Sequence, residues 1–326
     1  MQSWREAAME SDASDTSGQG EGLSDKASGV FDVVVIGAGP AGLSATLSLA
    51  REHFKVLVLE KSAIGGNLLK IADLENYAGF VGAGSELAQT MKEQAKKFGA
   101  EIQYAEALGV MPAVAAATPS GTGSPHPVAT GVAPLQLGLP PSVSPSGVTV
   151  ATAGNTNYHA NAVIVANGMK PRELVIEGLK APMHTCATCD GPLYSDKKVA
   201  VIGGGESAFQ TALFLAGFAA HTYIISHSQP RVKGVLLNRV QNSPKITVLT
   251  DTEPSAELLD DNLQVAGVFL EIGSDRNELP KVAEELEGAP NVLRAGDCHD
   301  GVRRQVVAAV ADGAAAAEKI REFLTA

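Results

Sequence analysis

The apolar positions of the chain gather into short runs that alternate between strand-like and helix-like spacing. Residues 32–36 are continuously apolar after Asp32, as in a parallel strand buried on both faces, and Leu43, Leu47 and Leu49 then recur at roughly helical spacing. Residues 55–59 read as a second strand. The same order returns further on: residues 198–202 are strand-like, Ala212, Leu213, Leu215 and Ala216 mark a helix, and residues 222–225 the next strand. Strands alternating with helices predict an α/β chain with parallel sheets. Two stretches lack such a period. Residues 1–30 are rich in Ser, Gly, Asp and Glu and bury too little apolar surface to offset their ordering entropy, which predicts a disordered tail. Residues 109–147 carry Pro112, Pro119, Pro125, Pro127, Pro134, Pro140, Pro141 and Pro145, and the missing N–H donors exclude regular helix or central strand. Strand-like sequence flanks this stretch at residues 102–104 and 148–152, so it is expected to be a low-complexity surface insertion within a domain.

Composition narrows the classes. A chain of 326 residues that is 45% hydrophobic can bury at least one sizeable core, and its length suggests two domains. A formal net charge of -11 argues against nucleic acid or an anionic membrane as the main partner, and no apolar run is long enough to span a bilayer. The tail has neither the apolar core of a secretory signal nor the acid-poor composition of a transit peptide, since it carries Glu6, Glu10, Asp12, Asp15 and Glu21. A cytoplasmic protein is the expectation. Three cysteines make no disulfide framework in a chain this long, so a reducing compartment and a chemical role for a close pair are expected.

A glycine turn joins strand to helix in each unit. Gly37-Ala38-Gly39-Pro40-Ala41-Gly42 is the first, and Gly203-Gly204-Gly205-Glu206-Ser207-Ala208 the second. Glycine is needed because the turn is tight, the backbone must approach a pyrophosphate closely, and the helix must aim its N-terminal N–H groups at the phosphates. Glu60 ends the second strand at the separation where a carboxylate receives ribose hydroxyls. The corresponding place in the later unit holds Ser226, His227 and Ser228, with no carboxylate for a free 2′-hydroxyl, and the nearest arginine for a 2′-phosphate is Arg231. Two Rossmann-like dinucleotide folds are predicted, with the ligand of the second left open.

Between the turns lies His184-Thr185-Cys186-Ala187-Thr188-Cys189-Asp190-Gly191. The C-x-x-C spacing lets two thiols close a small reversible ring: one thiolate attacks a substrate disulfide and its neighbour resolves the mixed disulfide. Asp190 is suited to move the proton, with a turn residue before Gly191 as the plainer alternative. A zinc site completed by Cys298 and His299 is the rival for the pair, but adjacent ligands rarely meet one tetrahedral ion, so no metal is expected. His53, His126, His159 and His221 have no partner pattern.

These motifs together resemble the low-molecular-weight thioredoxin reductases over most of residues 31–326. The likeness rests on both glycine turns, on Gly65-Gly66-Asn67-Leu68 with Glu75-Asn76-Tyr77-Ala78-Gly79-Phe80, on residues 186–191, and on Gly296-Asp297 with Arg304-Gln305-Val306. The resemblance implies an FAD domain in two pieces, residues 31–170 and 274–326, and an inserted pyridine-nucleotide-like domain, residues 171–273, that carries the cysteine pair. It implies that Gly37, Gly39 and Gly42 cradle the FAD pyrophosphate with Pro40 and Ala41, that Glu60 meets the adenosine ribose, and that Gly66, Asn67, Leu68, Asn76 and Gly168 lie near the cofactor. Asp297, beside Gly296, would hold the ribitol, and Arg304, Gln305 and Val306 would approach the ring, where an alanine-rich helix aims its N-terminus. Cys189 would face the flavin, Cys186 would attack the protein substrate and Asp190 would be acid and base. Gly203, Gly205, Glu206, Ser207, Ala208 and Arg231 would serve NADPH. A homodimer with thioredoxin or a thioredoxin-like disulfide protein as partner follows from the same likeness.

The departures from the family pattern keep three readings open. Where NADPH-dependent members place His-Arg-Arg and a further arginine, this chain has Ser226-His227-Ser228 and Arg231, and losing one charge-assisted pair commonly costs about 1.5 to 3 kcal/mol. The segments 245–263 and 277–294 look shorter than the family's, and Asn167 and Ala78 replace its Thr and Pro. One reading is a disulfide reductase fed by NADPH through FAD. The second is a flavoenzyme independent of pyridine nucleotide, taking electrons from ferredoxin or returning those of a small dithiol to oxygen. The third is a retired flavin-binding module, against which the intact Cys186, Cys189 and Asp190 count.

Overall fold

Val33 and Val35 bury their side chains on one face of a sheet and Val34 and Ile36 on the other, which is why this strand reads as an unbroken apolar run. The computed structural model describes residues 30–113, 147–278, 280–299, 301 and 304–326. The expected disordered tail, apart from Val30, and residues 114–146 of the expected insertion lie outside the described residues.

In chain order the strands are β1 (Val30–Ile36), β2 (Val56–Glu60), β3 (Leu74–Tyr77), β4 (Phe80–Gly82), β5 (Glu101–Tyr104), β6 (Ala107–Pro112), β7 (Val148–Thr152), β8 (Asn157–Val165) and β9 (Met169–Pro171). They continue as β10 (Met183–His184), β11 (Lys198–Ile202), β12 (His221–Ile225), β13 (Ile246–Leu249), β14 (Gly267–Leu270), β15 (Ser274–Arg276), β16 (Lys281–Val282) and β17 (Val292–Arg294). The helices are α1 (Pro40–Arg51), α2 (Gly84–Lys97), α3 (Ala187–Asp190), α4 (Glu206–Ala216), α5 (Val235–Gln241) and α6 (Val306–Thr325).

Two sheets carry the α/β fold, each a Rossmann-like unit. The larger runs β16-β6-β7-β8-β1-β2-β5, with β17 also on β8. The smaller runs β10-β14-β11-β12-β13 and is parallel throughout. β16 and β17 join the larger sheet after the chain has left the smaller one, so the second unit is inserted in the first. The antiparallel pair β9 and β15, with Ser274 opposite Pro171, ties together the two crossings between them. Each sheet is buried on both faces, and every Val, Leu or Ile fully removed from water contributes about 1.5–3 kcal/mol.

One boundary differs from the sequence reading. Residues 109–112, read as the start of the proline-rich insertion, belong to β6, which pairs with β7 on one side and β16 on the other. Pro112 is tolerated because it ends the strand, where its missing N–H interrupts little of the ladder.

Candidate active site at the cysteine pair and the glycine turns

The first glycine turn sits where β1 ends. Gly37 has φ +105, and a Cβ there would lie 2.4 Å from the Ala166 carbonyl oxygen, so only glycine lets β1 and β8 close here. Gly39 is the opposite case: no heavy atom lies within 4 Å of its would-be Cβ, and Pro40 opens α1 with no side-chain cap and no acidic residue in its first turn. An open backbone at an uncapped helix N-terminus suits a pyrophosphate. Ala41, Gly42 and Leu68 are buried, so they can offer such a ligand only backbone. Glu60 is buried at the end of β2, where it accepts hydrogen bonds from the Ala38 N–H at 2.8 Å and the Ser62 N–H at 2.9 Å. Its carboxylate therefore holds the turn in shape.

The remaining residues expected at FAD come from three other segments. A Cβ on Gly66 would lie 3.4 Å from the Cα of Gly39, and the Asn67 side-chain amide donates to the Met169 carbonyl at 3.2 Å. Asn76 is exposed on β3, and Gly168 has φ +62 with nothing against it. Gly296, at φ +78, donates its N–H to Asp312 at 2.7 Å, and the same carboxylate meets His299 Nε2 at 2.8 Å. Asp297 has a buried carboxylate oxygen, Oδ1, without a protein partner, and burial pushes its pKa up, opposed by Arg304. Asn167 Oδ1 is likewise buried and unpartnered. Such atoms carry a desolvation cost that ligand hydroxyls can relieve. Gln305 caps α6 by its backbone, Val306 begins that helix, and Arg304 is exposed. The set fits a flavin dinucleotide.

The cysteine pair stands against this site. Cys186 and Cys189 are joined as a disulfide at the start of α3. Thr188, between them, donates its hydroxyl to the Leu69 carbonyl at 2.8 Å, which docks α3 on the Gly66–Lys70 turn of the first unit. Asp190 follows at once, and its Oδ2 lies 3.1 Å from His184 Nδ1. Cys298 and His299, the rival zinc ligands, are occupied elsewhere: the Cys298 thiol donates toward the Val165 and Ala295 carbonyls, and burial raises its pKa. Among the described residues no group of three His, Cys, Asp or Glu is arranged to hold a metal.

The second glycine turn is built like the first, but its surroundings differ. A Cβ on Gly203 would lie 2.3 Å from the Glu271 carbonyl oxygen, whereas Gly205 faces open space and begins α4, with Glu206 in its first turn. Ala208 is fully buried, and Glu206 and Ser207 are exposed. Ser226 is buried and donates to the Ser228 carbonyl at 2.7 Å, so its hydroxyl turns inward. Arg231 donates its backbone N–H to the Gly204 carbonyl at 3.0 Å and is exposed beside the turn. The cavity here is lined by Ser226, His227 and the carboxylate-bearing Glu253. The turn fits a dinucleotide pyrophosphate, but a lone arginine does not make a 2′-phosphate clamp.

Sequence reasoning did not reach Thr188 as a docking residue, Asp312 as the anchor of Gly296, or His184 beside Asp190. Each depends on segments that meet only in the fold. Asp312 alone left a trace, as an acid next to Gly313 in an otherwise alanine-rich helix.

Two Rossmann-like units, the inserted one bearing a disulfide on a short helix that docks on the Gly66–Lys70 turn of the other, define a dithiol–disulfide oxidoreductase. The chain belongs to the pyridine nucleotide-disulphide oxidoreductase family, whose model matches residues 31–271. It is 33% identical to the thioredoxin reductase of Mycolicibacterium smegmatis, over 90% of this chain and 97% of that protein. It is 27% identical to the thioredoxin reductase of Bacillus subtilis, over 90% and 95%. Among solved structures, Lactococcus lactis thioredoxin reductase superposes with a TM-score of 0.71 at 25% identity, covering 90% of this chain and 99% of that one. The T. acidophilum thioredoxin reductase has the same fold, with a TM-score of 0.68 at 24% identity over 91% and 99%. No helix among the described residues is long and apolar enough to cross a membrane.

Proposed function

We propose that this chain is an FAD-dependent reductase of a protein disulfide, with thioredoxin or a thioredoxin-like protein as its partner. The observation that carries this reading is the Cys186–Cys189 disulfide docked through Thr188 on the Gly66–Lys70 turn. Bound FAD supplies the two electrons that open the disulfide. Gly37, Gly39 and the start of α1 hold its pyrophosphate, Glu60 its ribose and Asp297 its ribitol. With the pair reduced, the Cys186 thiolate attacks one sulfur of the substrate disulfide, and Cys189 then attacks Cys186 and frees the second substrate sulfur. Asp190 takes the proton that a cysteine loses and gives it to the thiolate that leaves. The reading carries with it the homodimer usual for such enzymes and a cytoplasmic setting.

The electron donor divides two versions of this function. NADPH is favoured by the second glycine turn. A donor other than pyridine nucleotide, such as ferredoxin, or a small dithiol whose electrons pass on to oxygen, is favoured by Glu253 in the cavity and by the inward turn of Ser226. Anaerobic stopped-flow mixing of the FAD-loaded chain with NADPH, and separately with NADH, tests them. Fast bleaching of the flavin band, reversed by oxidised thioredoxin, is the NADPH-fed outcome. Bleaching by a dithiol alone assigns another donor, and a chain that does not take up FAD overturns the whole reading.

A further inference from the structure

His184 sits two residues before the cysteine pair, and each of its ring nitrogens has a polar partner. Nδ1 lies 3.1 Å from Asp190 Oδ2, and Nε2 lies 2.6 Å from the Tyr194 hydroxyl. The ring is stacked on Phe269 of β14 at a centroid distance of 5.2 Å and meets Tyr194 edge-on at 5.3 Å. β10 itself is held by parallel pairing of His184 with Phe269. The imidazole is therefore fixed in plane and direction by packing, and its two polar contacts are set by geometry rather than by chance encounter.

We infer that His184 is a positioning residue for Asp190: it orients the carboxylate toward the cysteine pair and, through its own charge, sets how readily Asp190 takes up a proton. This rests on the disulfide-reductase reading above. The titratable groups that face the ring are Asp190 and Tyr194, with Lys197 behind the Tyr194 ring at 5.6 Å, while β14 presents only Phe269. Burial and the neighbouring Asp190 raise the pKa of Tyr194, so it stays a phenol. With neutral imidazole, the Tyr194 O–H donates to Nε2, and Nδ1–H donates to the Asp190 carboxylate. With imidazolium, both N–H groups donate, and the positive charge beside Asp190 holds it as a carboxylate that resists protonation.

The consequence falls on the exchange step. A Cys186 thiol must pass its proton to Asp190 before its sulfur can attack. The new Cys186–substrate bond forms as the substrate S–S bond breaks, and the first leaving thiolate takes that proton. Cys189 repeats the step on Cys186 and expels the second substrate thiol. In total one disulfide is reduced, the cysteine pair is oxidised, and two protons move from the cysteines to the substrate sulfurs. Imidazolium weakens Asp190 as the base in this sequence, so the rate rises as His184 loses its charge.

The test is single-turnover exchange of the reduced, desalted, anaerobic full-length chain with 4,4′-dithiodipyridine between about pH 5 and 8. Thiopyridone release reports the attack directly. In wild type the rate carries an inflection within this pH window. In His184→Asn, whose amide N–H stands in for Nδ1–H without a switchable charge, the inflection disappears while the alkaline rate stays within a few-fold of wild type. Tyr194→Phe, which keeps the packed ring but removes the donor to Nε2, shifts the inflection. A His184→Asn profile with the wild-type inflection, or a uniform loss of rate at every pH, overturns the inference and leaves a merely structural histidine. A wild-type dithiol inert at every pH overturns the reductase reading and this inference with it.

Discussion

Glu271 follows β14 directly and is partly buried, with its Oε1 accepting a hydrogen bond from Thr211 at 2.8 Å. Its pKa is raised by burial, against the pull of that bond and of Lys70, whose own pKa burial lowers. Because the folded carboxyl holds its proton more tightly than the unfolded one, stability from this group is full below the unfolded value, about 4.3. It is lost as pH rises through the folded value. Glu271→Gln removes that dependence while keeping an amide oxygen for Thr211. The stability of the variant relative to wild type is expected to rise steadily with pH from acid to neutral, as read from denaturant midpoints across the range. Parallel curves for the two proteins would show that Glu271 is already solvated.

At the scale of elements, α1 and α6 meet backbone to backbone in the first unit. A Cβ on Gly313 of α6 would lie 2.1 Å from the Ala41 carbonyl oxygen, with backbone atoms on both sides of the contact and no flexible side chain to yield. Gly313→Ala is expected to cost about 1–3 kcal/mol or more in thermal or denaturant unfolding, although alanine is the better helix former. Gly154→Ala, with open space at its Cβ, serves as the control and should leave stability nearly unchanged. The alanine-rich pattern after Arg304 made α6 legible in the sequence, but nothing in it marked which glycine another helix would press against. The same distinction runs through the fold. β1, β2, β11 and β12 announce themselves because burial on both faces leaves a long apolar signature, and the glycine turns because Gly37, Gly42 and Gly203 leave no room for a Cβ. β16 and β17 are too short to show any period, and β6 was obscured by Pro112. At the site, the cysteine pair and Asp190 were legible from spacing. Thr188, His184 with Tyr194, and Asp312 were not, since their partners are brought to them by the packing of one segment on another.

The whole molecule is two cores joined lightly. Besides the paired crossings β9 and β15, the units meet through Thr188 and Leu69, through Lys70 facing Glu271, and through an ion pair between Arg239 and Glu75 at 2.6 Å. That pair is about half exposed on both sides, so water screens it and it contributes little to docking. The double variant Thr188→Val, Arg239→Ala should therefore speed amide hydrogen exchange in residues 66–70 while leaving β1 and β11 as protected as in wild type. Unchanged exchange at the turn would mean that these contacts contribute nothing to docking the units. A different consequence follows from the hairpin of β6 and β7. The Ala113 N–H donates to the Gly147 carbonyl at 2.8 Å, so the chain leaves and re-enters the sheet at two neighbouring points already held in register. A two-residue turn can bridge them, and so can a foreign domain whose termini lie close together, without either strand having to shift. The hairpin tip is thus a natural splice junction, where cargo of very different length can be exchanged while the chemistry on the other elements is left as it was.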